Sequence, residues 1–113
     1  MIKDNFTRKA RVIRVIDGDT IEVDIDLGFY SSIRQRIRLL RIDCDEIVGL
    51  NKQSGLEAKI FTESKVLKKE IYLVTEKTDT FSRWLGEVYF YENGILKNLS
   101  DELLENNLAQ IYP

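Results

Sequence analysis

The chain has 113 residues, one cysteine, no histidine and a formal net charge of -2. The missing histidine excludes a Ser-His-Asp triad, a histidine general base and a histidine-ligated zinc site, and one cysteine excludes an intrachain disulfide. The 19 acidic residues favour a hard cation such as Ca2+ or Mg2+, and the length fits one domain over residues 1–113.

Three strands are predicted in the first forty residues. They lie where side chains are β-branched or alternate between apolar and charged, at residues 11–16, 20–27 and 33–42. Asp17-Gly18-Asp19 is a turn signal between the first two. The second and third strands should form an antiparallel hairpin with Asp24 facing Arg36, and the same register places residue 19 opposite residue 41.

A row of arginines marks the third strand, with Arg34, Arg36 and Arg38 spaced by two. One interpretation is an outer face that is ion-paired with acids of the facing strand, at about 0.2–1 kcal/mol per pair. The other is phosphate binding, because the planar guanidinium contacts phosphate through two parallel hydrogen bonds. Arg38, Arg41 and Arg83 are the candidate anion contacts.

The second half predicts two helices and two or three strands. Ser54 and Glu57 form a capping box for a helix ending near residues 68–69, with Leu56 and Ile60 on its apolar side. Further strands are predicted at residues 71–75, 84–91 and 95–96, and a helix capped by Ser100 at residues 101–107. This order predicts a β-rich α+β fold, a five-stranded OB-type Greek-key barrel with two helices.

Several carboxylates lie at bends, where strand alternation does not explain them: Asp17, Asp19, Asp43, Asp45 and Glu46. Asp19 and Asp43 fall at the same end of the predicted hairpin and could share one hard metal ion. The alternative is that they are turn acids bonded to local backbone. Arg38 and Asp43 are separated by an odd number of residues, so strict strand alternation would send their side chains to opposite faces. They can meet only if a bulge or a strand end intervenes.

Three ordered blocks of sequence are similar to one family. They are residues 15–20 (VIDGDT), residues 38–46 (RLLRIDCDE) and Thr78-Asp79 to Arg83. In order and spacing they closely resemble the staphylococcal nuclease (thermonuclease) family along nearly the whole chain. The resemblance implies that Asp19 and Asp43 hold Ca2+, together with the backbone carbonyl of Cys44, which stands where the family usually has threonine. It also implies that Glu46 activates the attacking water.

The resemblance also implies how the substrate is held. Arg38 and Arg83 correspond to the two phosphate-binding arginines of the family. Phe81 stands where family members commonly have tyrosine, and Tyr112 lies near the aromatic wall of the nucleotide site. The catalytic set implied is therefore Arg38, Glu46 and Arg83, and Phe81 and Tyr112 join the two arginines in substrate binding.

The implied activity is Ca2+-dependent hydrolysis of DNA, RNA or both by water attack at phosphorus, with 3'-phosphate and 5'-hydroxyl products. The alternative is a catalytically silent module that binds nucleic acid or protein. The sequence favours the enzyme, because a silent domain would be expected to have lost several of these residues: Asp19, Arg38, Asp43, Glu46 and Arg83.

The charge distribution and the N-terminus bear on partners and location. Residues 1–42 carry nine Lys or Arg against six Asp or Glu, and residues 43–113 carry eight against thirteen. Any basic surface for nucleic acid should therefore come from the first half. With no apolar span of about 20 residues and no visible signal peptide, we expect a monomer without membrane association, located in the cytoplasm, or secreted if a leader was removed.

Overall fold

A computed structural model describes residues 7–45, 52–80 and 83–112 of the chain. In chain order the elements are β1 (Thr7–Asp17), β2 (Thr20–Gly28), β3 (Ser31–Leu39), β4 (Ile42–Asp43), α1 (Lys52–Val66), β5 (Glu70–Thr80), β6 (Arg83–Glu92), β7 (Ile95–Asn98), α2 (Leu99–Glu105) and β8 (Gln110–Ile111). Within these ranges no helix is long and apolar enough to cross a membrane.

Five strands close into a barrel. The sheet runs β3-β2-β1-β5-β6-β7, and a parallel pairing of β3 with β6 joins its two sides. The other neighbouring strands are antiparallel, while β4 and β8 form a separate two-stranded pair. The predicted OB-type barrel with two helices is therefore confirmed.

The barrel interior is filled by the apolar positions of the alternating strands, as the periodicity predicted. The largest fully buried side chains are aliphatic: Ile21, Ile37, Leu39, Ile42, Ile71, Leu73, Leu99, Leu103, Val12, Val23, Val66 and Val88. Because every strand alternates, the residues between these project outward.

The β2–β3 hairpin differs by two residues from the predicted register, which was wrong. Asp24 pairs with Arg34 and not with Arg36. The connection contains only Phe29 and Tyr30, whose φ angles of 54° and 61° both lie in the left-handed region. Such angles at both central positions define the tight turn that matches strand twist, normally occupied by Asn and Gly. Two bulky aromatic residues gave no signal for so short a turn.

Two of the three arginines of β3 are ion-paired on the outer face. Arg34 Nε lies 2.9 Å from Asp24 Oδ1, and Arg36 Nε lies 3.7 Å from Glu22 Oε2. The hydrogen bond from Arg34 lowers the pKa of Asp24 below its ordinary value. The ion-paired interpretation is confirmed for these two residues, and it leaves Arg38 as the member of the row with a different role.

Helix α1 begins at Lys52, so the capping box predicted at Ser54 is wrong. Its buried face consists of small residues at Gly55, Ala58, Thr62 and Val66. Ile60, predicted on the apolar side, is 62% exposed, whereas Phe61 of the same predicted side packs against the core. At Gly18 the helix packs so closely on the barrel that only a small side chain fits at Ala58.

The second half follows the prediction more closely. Strands β5 and β6 extend beyond the predicted segments, so β5 reaches Thr80 and β6 begins at Arg83. Helix α2 is capped by Asn98, whose side chain accepts a hydrogen bond from the Asp101 backbone N–H, and the cap predicted at Ser100 is wrong. Ser100 is instead buried, and its hydroxyl donates to the Leu40 carbonyl at 3.0 Å.

Glu92 links the end of β6 to α1 and to β7, and this link predicts a pH dependence. Its carboxylate accepts hydrogen bonds from Lys65 Nζ at 2.8 Å and Lys97 Nζ at 2.9 Å, which lower its pKa to about 2. A carboxyl group with a depressed folded pKa stabilises the fold above its unfolded pKa, about 4.3. That contribution disappears as the pH falls from there towards 2.

We therefore expect Glu92→Gln to lower the melting temperature at pH 7, and the deficit to shrink steadily between pH 4.5 and pH 2. Circular dichroism melts across this range measure it. Glu105→Gln is the matched control, because Glu105 is exposed and forms no ion pair within the described part of the chain. A deficit that stays constant with pH would contradict the assignment.

Candidate active site

The turn between β1 and β2 places Asp19 at the edge of the barrel. This carboxylate is only 6% exposed, and burial of a charge requires hydrogen-bond partners. Its Oδ1 accepts the Thr20 hydroxyl at 3.1 Å, and its Oδ2 accepts the Cys44 backbone N–H at 2.9 Å. The second bond joins the β1–β2 turn to the segment that follows β4.

The turn itself is held by α1. Thr62 Oγ1, fully buried, donates to the Gly18 carbonyl at 2.8 Å. A Cβ added at Gly18 would lie 2.6 Å from Ala58 Cβ and 3.1 Å from Cys44 Sγ, so only glycine fits there. Thr62 was not predicted from the sequence, and the signal that could have indicated it is the spacing of small residues along α1.

The end of β3 brings Arg38 and Asp43 together despite their opposite parity. Arg41 has a φ of 72°, which ends the strand and turns the chain into β4. Arg38 Nη1 donates to the carbonyls of Leu39 and Ile42 at 2.8 Å and 2.9 Å, so its guanidinium is fixed by the turn that it spans. The strand end required for convergence is therefore present.

Arg38 lies between two carboxylates. Its Nη2 is 2.9 Å from Asp43 Oδ1 and 3.6 Å from Asp19 Oδ2. The Arg38 side chain is 12% exposed, and that of Asp43 is 59% exposed. One cation and two anions thus meet at one point, with Asp19 buried and Asp43 open to solvent. The structure brings together three of the predicted site residues.

A cleft of about 600 Å³ opens beside this cluster. Its lining residues are Arg38, Leu39, Leu40, Arg41, Asp43, Leu85 and Tyr112. The Tyr112 backbone N–H donates to the Arg41 carbonyl at 2.8 Å, and the Tyr112 ring centroid lies 5.6 Å from Arg38 Cζ. An aromatic ring, an aliphatic wall and a guanidinium therefore face one space, which suits a nucleotide.

Arg41 forms ion pairs with acids of β6 and α2, and its role as an anion contact stays a prediction. Its Nε donates to Glu87 Oε2 at 2.7 Å and its Nη1 to Asp101 Oδ1 at 3.0 Å. These bonds raise its pKa above the ordinary value. Arg41 therefore fixes the turn after β3 to β6 and α2.

Three of the predicted site residues are described only in part or not at all. Glu46 and Phe81 lie outside the described residues. The backbone of Arg83 begins β6 and pairs with Arg36 of β3, but its side chain is outside the described part. The backbone thus brings the position of Arg83 beside the arginine row, two residues along β3 from Arg38.

Comparison with known proteins gives the family. The protein family described as staphylococcal nuclease homologue matches residues 36–113. The chain belongs to this family. It is 36% identical to the thermonuclease of Staphylococcus hyicus over 73% of the chain and 52% of that protein. It is 28% identical to endonuclease Htp3 of Saprolegnia parasitica over 94% of the chain and 56% of that protein.

The chain also matches part of a longer protein. It is 42% identical to ribonuclease TUDOR 2 of Arabidopsis thaliana over 50% of the chain, which is 6% of that protein. Against the thermonuclease and Htp3 it spans about half of their length. The resemblance stated from the three sequence blocks is confirmed.

Cys44 contacts Asp19 through its backbone and not through its thiol. The side chain is 6% exposed, and burial together with the nearby Asp19 charge raises the pKa of the thiol to about 12. The thiol is therefore neutral at physiological pH and lacks the thiolate character of a reactive cysteine. The backbone N–H, which binds Asp19, does not depend on the side chain.

The oxygen atoms near Asp19 and Asp43 fit a hard cation. Asp19 and Asp43 offer carboxylate oxygens and Cys44 offers a backbone carbonyl, the ligand types that Ca2+ prefers. Arg38 already shows that a positive charge is held between the two carboxylates. Within the described ranges no three His, Cys, Asp or Glu side chains form a metal cluster.

Proposed function

We propose that this protein is a Ca2+-dependent nuclease that hydrolyses phosphodiester bonds of DNA and/or RNA and leaves 3'-phosphate products. The observation that carries the proposal is the fixed guanidinium of Arg38, which lies between Asp19 and Asp43 beside the Tyr112 cleft. Family membership and the nuclease names of the relatives support the same reaction class.

Asp19, Asp43 and the Cys44 carbonyl would hold the Ca2+. When bound, this cation supplies Lewis-acid polarisation of the scissile phosphate. The solvent-exposed Asp43 can change its partner without unfolding the turn, whereas Asp19 is fixed by its buried bonds. Asp19 would thus be a rigid ligand of the cation and Asp43 a mobile one.

Arg38 binds the phosphate in this proposal. Its Nη1 is anchored to two backbone carbonyls, while Nη2 contacts the exposed Asp43. A guanidinium fixed in this way stabilises charge that builds on the phosphoryl oxygens at no cost in reorganisation. Arg83 provides the second guanidinium, in the role that the family resemblance gives it.

Glu46 takes a proton from the attacking water, which then forms the new bond to phosphorus as the bond to the 5' oxygen breaks. The released oxygen leaves as a 5'-hydroxyl after protonation. No histidine is needed, because a carboxylate within hydrogen-bond reach of the water is a sufficient base. Tyr112 and Phe81 contribute aromatic surface to the bound nucleotide.

A chelator and one substitution test this proposal. We expect digestion of single-stranded DNA or RNA in Ca2+, none in excess chelator, and a loss of about 10²–10⁴-fold in kcat for Glu46→Gln. Glu105→Gln is the matched control, since its carboxylate is exposed on α2. Product ends are read by susceptibility to a 3'-phosphatase.

The alternative function, a catalytically silent binding module, predicts a different pattern. Wild type and Glu46→Gln would then be equally inert while both still bind oligonucleotide. Cleavage that survives the chelator would overturn the metal dependence, and products with 3'-hydroxyl ends would overturn the stated chemistry.

A further inference from the structure

The ion pair between Arg38 and Asp43 occupies two groups that the proposed reaction needs. Asp43 Oδ1 accepts a hydrogen bond from Arg38 Nη2 at 2.9 Å, although the proposed function assigns this carboxylate to the cation. Nη2 is the nitrogen assigned to a substrate phosphate, because Nη1 already donates to the carbonyls of Leu39 and Ile42. A single contact therefore blocks a metal ligand and a phosphate donor at the same time.

The two partners of this ion pair differ in their freedom to move. The Arg38 side chain is 12% exposed, and the Tyr112 ring lies beside it with its centroid 5.6 Å from Cζ. The Asp43 side chain is 59% exposed, and among the described residues it has no hydrogen bond or ion pair other than the one to Arg38. Separating the pair therefore requires Asp43 to rotate, while Arg38 stays bonded to its two carbonyls.

Arg38 also lies close to the second carboxylate of the site. Its Nη2 is 3.6 Å from Asp19 Oδ2, and Asp19 is held in place by the Thr20 hydroxyl and the Cys44 backbone N–H. The guanidinium thus neutralises part of the negative charge that would attract a cation. Because the side chains of Asp19 and Arg38 are both mostly buried, salt screens their interaction less than it screens an exposed pair. Arg38 therefore competes with any cation that binds here.

We propose that the Arg38–Asp43 ion pair is autoinhibitory. Without a cation, Asp43 covers Nη2 of Arg38 and keeps a phosphate from binding to it. When Asp43 turns to a bound Ca2+, Nη2 is free to donate to a phosphate oxygen. The inference rests on the proposed function, which supplies the cation and the phosphate, and it adds that the phosphate site stays closed until the cation site is filled.

Binding of each ligand alone tests the proposal. The probes are Ca2+ and a nucleoside 5'-monophosphate, which has no phosphodiester bond, so calorimetry on the full chain reports binding without turnover. Wild type should bind the nucleotide weakly in chelator and about 5- to 150-fold more tightly in Ca2+, the usual range for coupled sites. Direct contact between a phosphate and a cation also produces such coupling, so two variants decide.

The first variant is Asp43→Ala. In chelator it should bind the nucleotide more tightly than wild type by about 5- to 150-fold, because nothing then covers Nη2 of Arg38. Asp45→Ala is the matched control, since it removes the same charge two residues along the chain, and Asp45 forms no ion pair with Arg38 within the described ranges. Both variants keep the bonds from Arg38 to the turn carbonyls, and melting curves verify that both are folded.

The second variant is Arg38→Met, which removes the competing charge. It should raise the affinity for Ca2+ in the absence of nucleotide by a similar factor. Arg36→Met is the matched control and should change that affinity by no more than about twofold, because Arg36 is exposed and pairs with Glu22. Arg38→Met also loses the bonds to the turn carbonyls, so Asp43→Ala decides the proposal if this variant does not fold.

Three results would overturn the inference. If Asp43→Ala and Asp45→Ala bind the nucleotide equally in chelator, the ion pair does not block the phosphate donor, and the nuclease function stands. If a folded Arg38→Met binds Ca2+ no more tightly than wild type, Arg38 does not compete with the cation, and again the function stands. If wild type binds no Ca2+ with or without nucleotide, the proposed function and this inference both fail.

Discussion

Replacing Arg38 by alanine should lower kcat for phosphodiester hydrolysis by about 10²–10³-fold, the cost of losing one fixed donor to a charged transition state. Arg34→Ala should change it by no more than about twofold, because an exposed surface ion pair contributes little. Both residues are arginines of β3 with one carboxylate partner at 2.9 Å. They differ in location, since only Arg38 lines the cleft.

Single-turnover cleavage in saturating Ca2+ measures the difference, and melting curves of both variants show whether the fold survives. Arg38→Lys separates charge from geometry: lysine keeps the positive charge but cannot donate in two directions from one plane. We expect Arg38→Lys to recover little of the lost rate. Equal losses for Arg34→Ala and Arg38→Ala would mean that the row acts as a diffuse basic patch.

Gly18→Ala should destabilise the protein by about 1–3 kcal/mol, the usual cost of an added methyl group in a closely packed site. The new Cβ would lie 2.6 Å from Ala58 Cβ, so either α1 or the β1–β2 turn must move. Because Asp19 is the next residue, the displacement should also weaken Ca2+ binding. Denaturant unfolding gives the stability, and the rise in melting temperature with added Ca2+ gives the affinity.

A double-mutant cycle identifies the cause of that loss. Ala58→Gly removes the opposing Cβ and should alone cost about 1 kcal/mol through helix propensity. Combined with Gly18→Ala it should cost clearly less than the sum of the two single changes, because the contact is then relieved. Strict additivity would show that the clash is not the origin of the instability.

The sequence was sufficient for the barrel because alternation fixes which side chains face inward. Ile21 and Val23 of β2 and Ile37 and Leu39 of β3 occupy alternate positions and are all buried, although Leu27 at the end of the same face of β2 is 51% exposed. Alternation does not fix register, however. The two-residue error in the hairpin came from the Phe29-Tyr30 turn, where positive φ angles are adopted by residues that rarely accept them.

The buried face of α1 could not be predicted from apolar periodicity, because the helix buries small residues. Ala58 and Thr62 are small because the helix lies very close to Gly18. This distance is a property of the tertiary structure. Hydrophobicity alone pointed to Ile60, which is exposed. Where two backbones approach closely, the volume of a side chain and not its hydrophobicity determines whether it fits.

For three residues of the candidate site the sequence predicted a shared location but not the contacts between them. Asp19, Arg38 and Asp43 were chosen from motif resemblance, and the structure brings them together. Arg38 and Asp43 meet only because the chain reverses at Arg41, whose φ of 72° has no sequence signature. For the same reason the ion pairs of Arg41 with Glu87 and Asp101 became visible only in the fold.

The strand pair that carries Tyr112 has a further consequence. Strands β4 and β8 pair through two residues each, Ile42 with Ile111 and Asp43 with Gln110, and one more backbone bond joins Tyr112 to the chain at Arg41. So few hydrogen bonds open at small free-energy cost, independently of the barrel. We therefore expect β8 and Tyr112 to detach from β4 while the barrel strand that holds Arg38 stays folded, so that the aromatic wall of the cleft moves independently of Arg38.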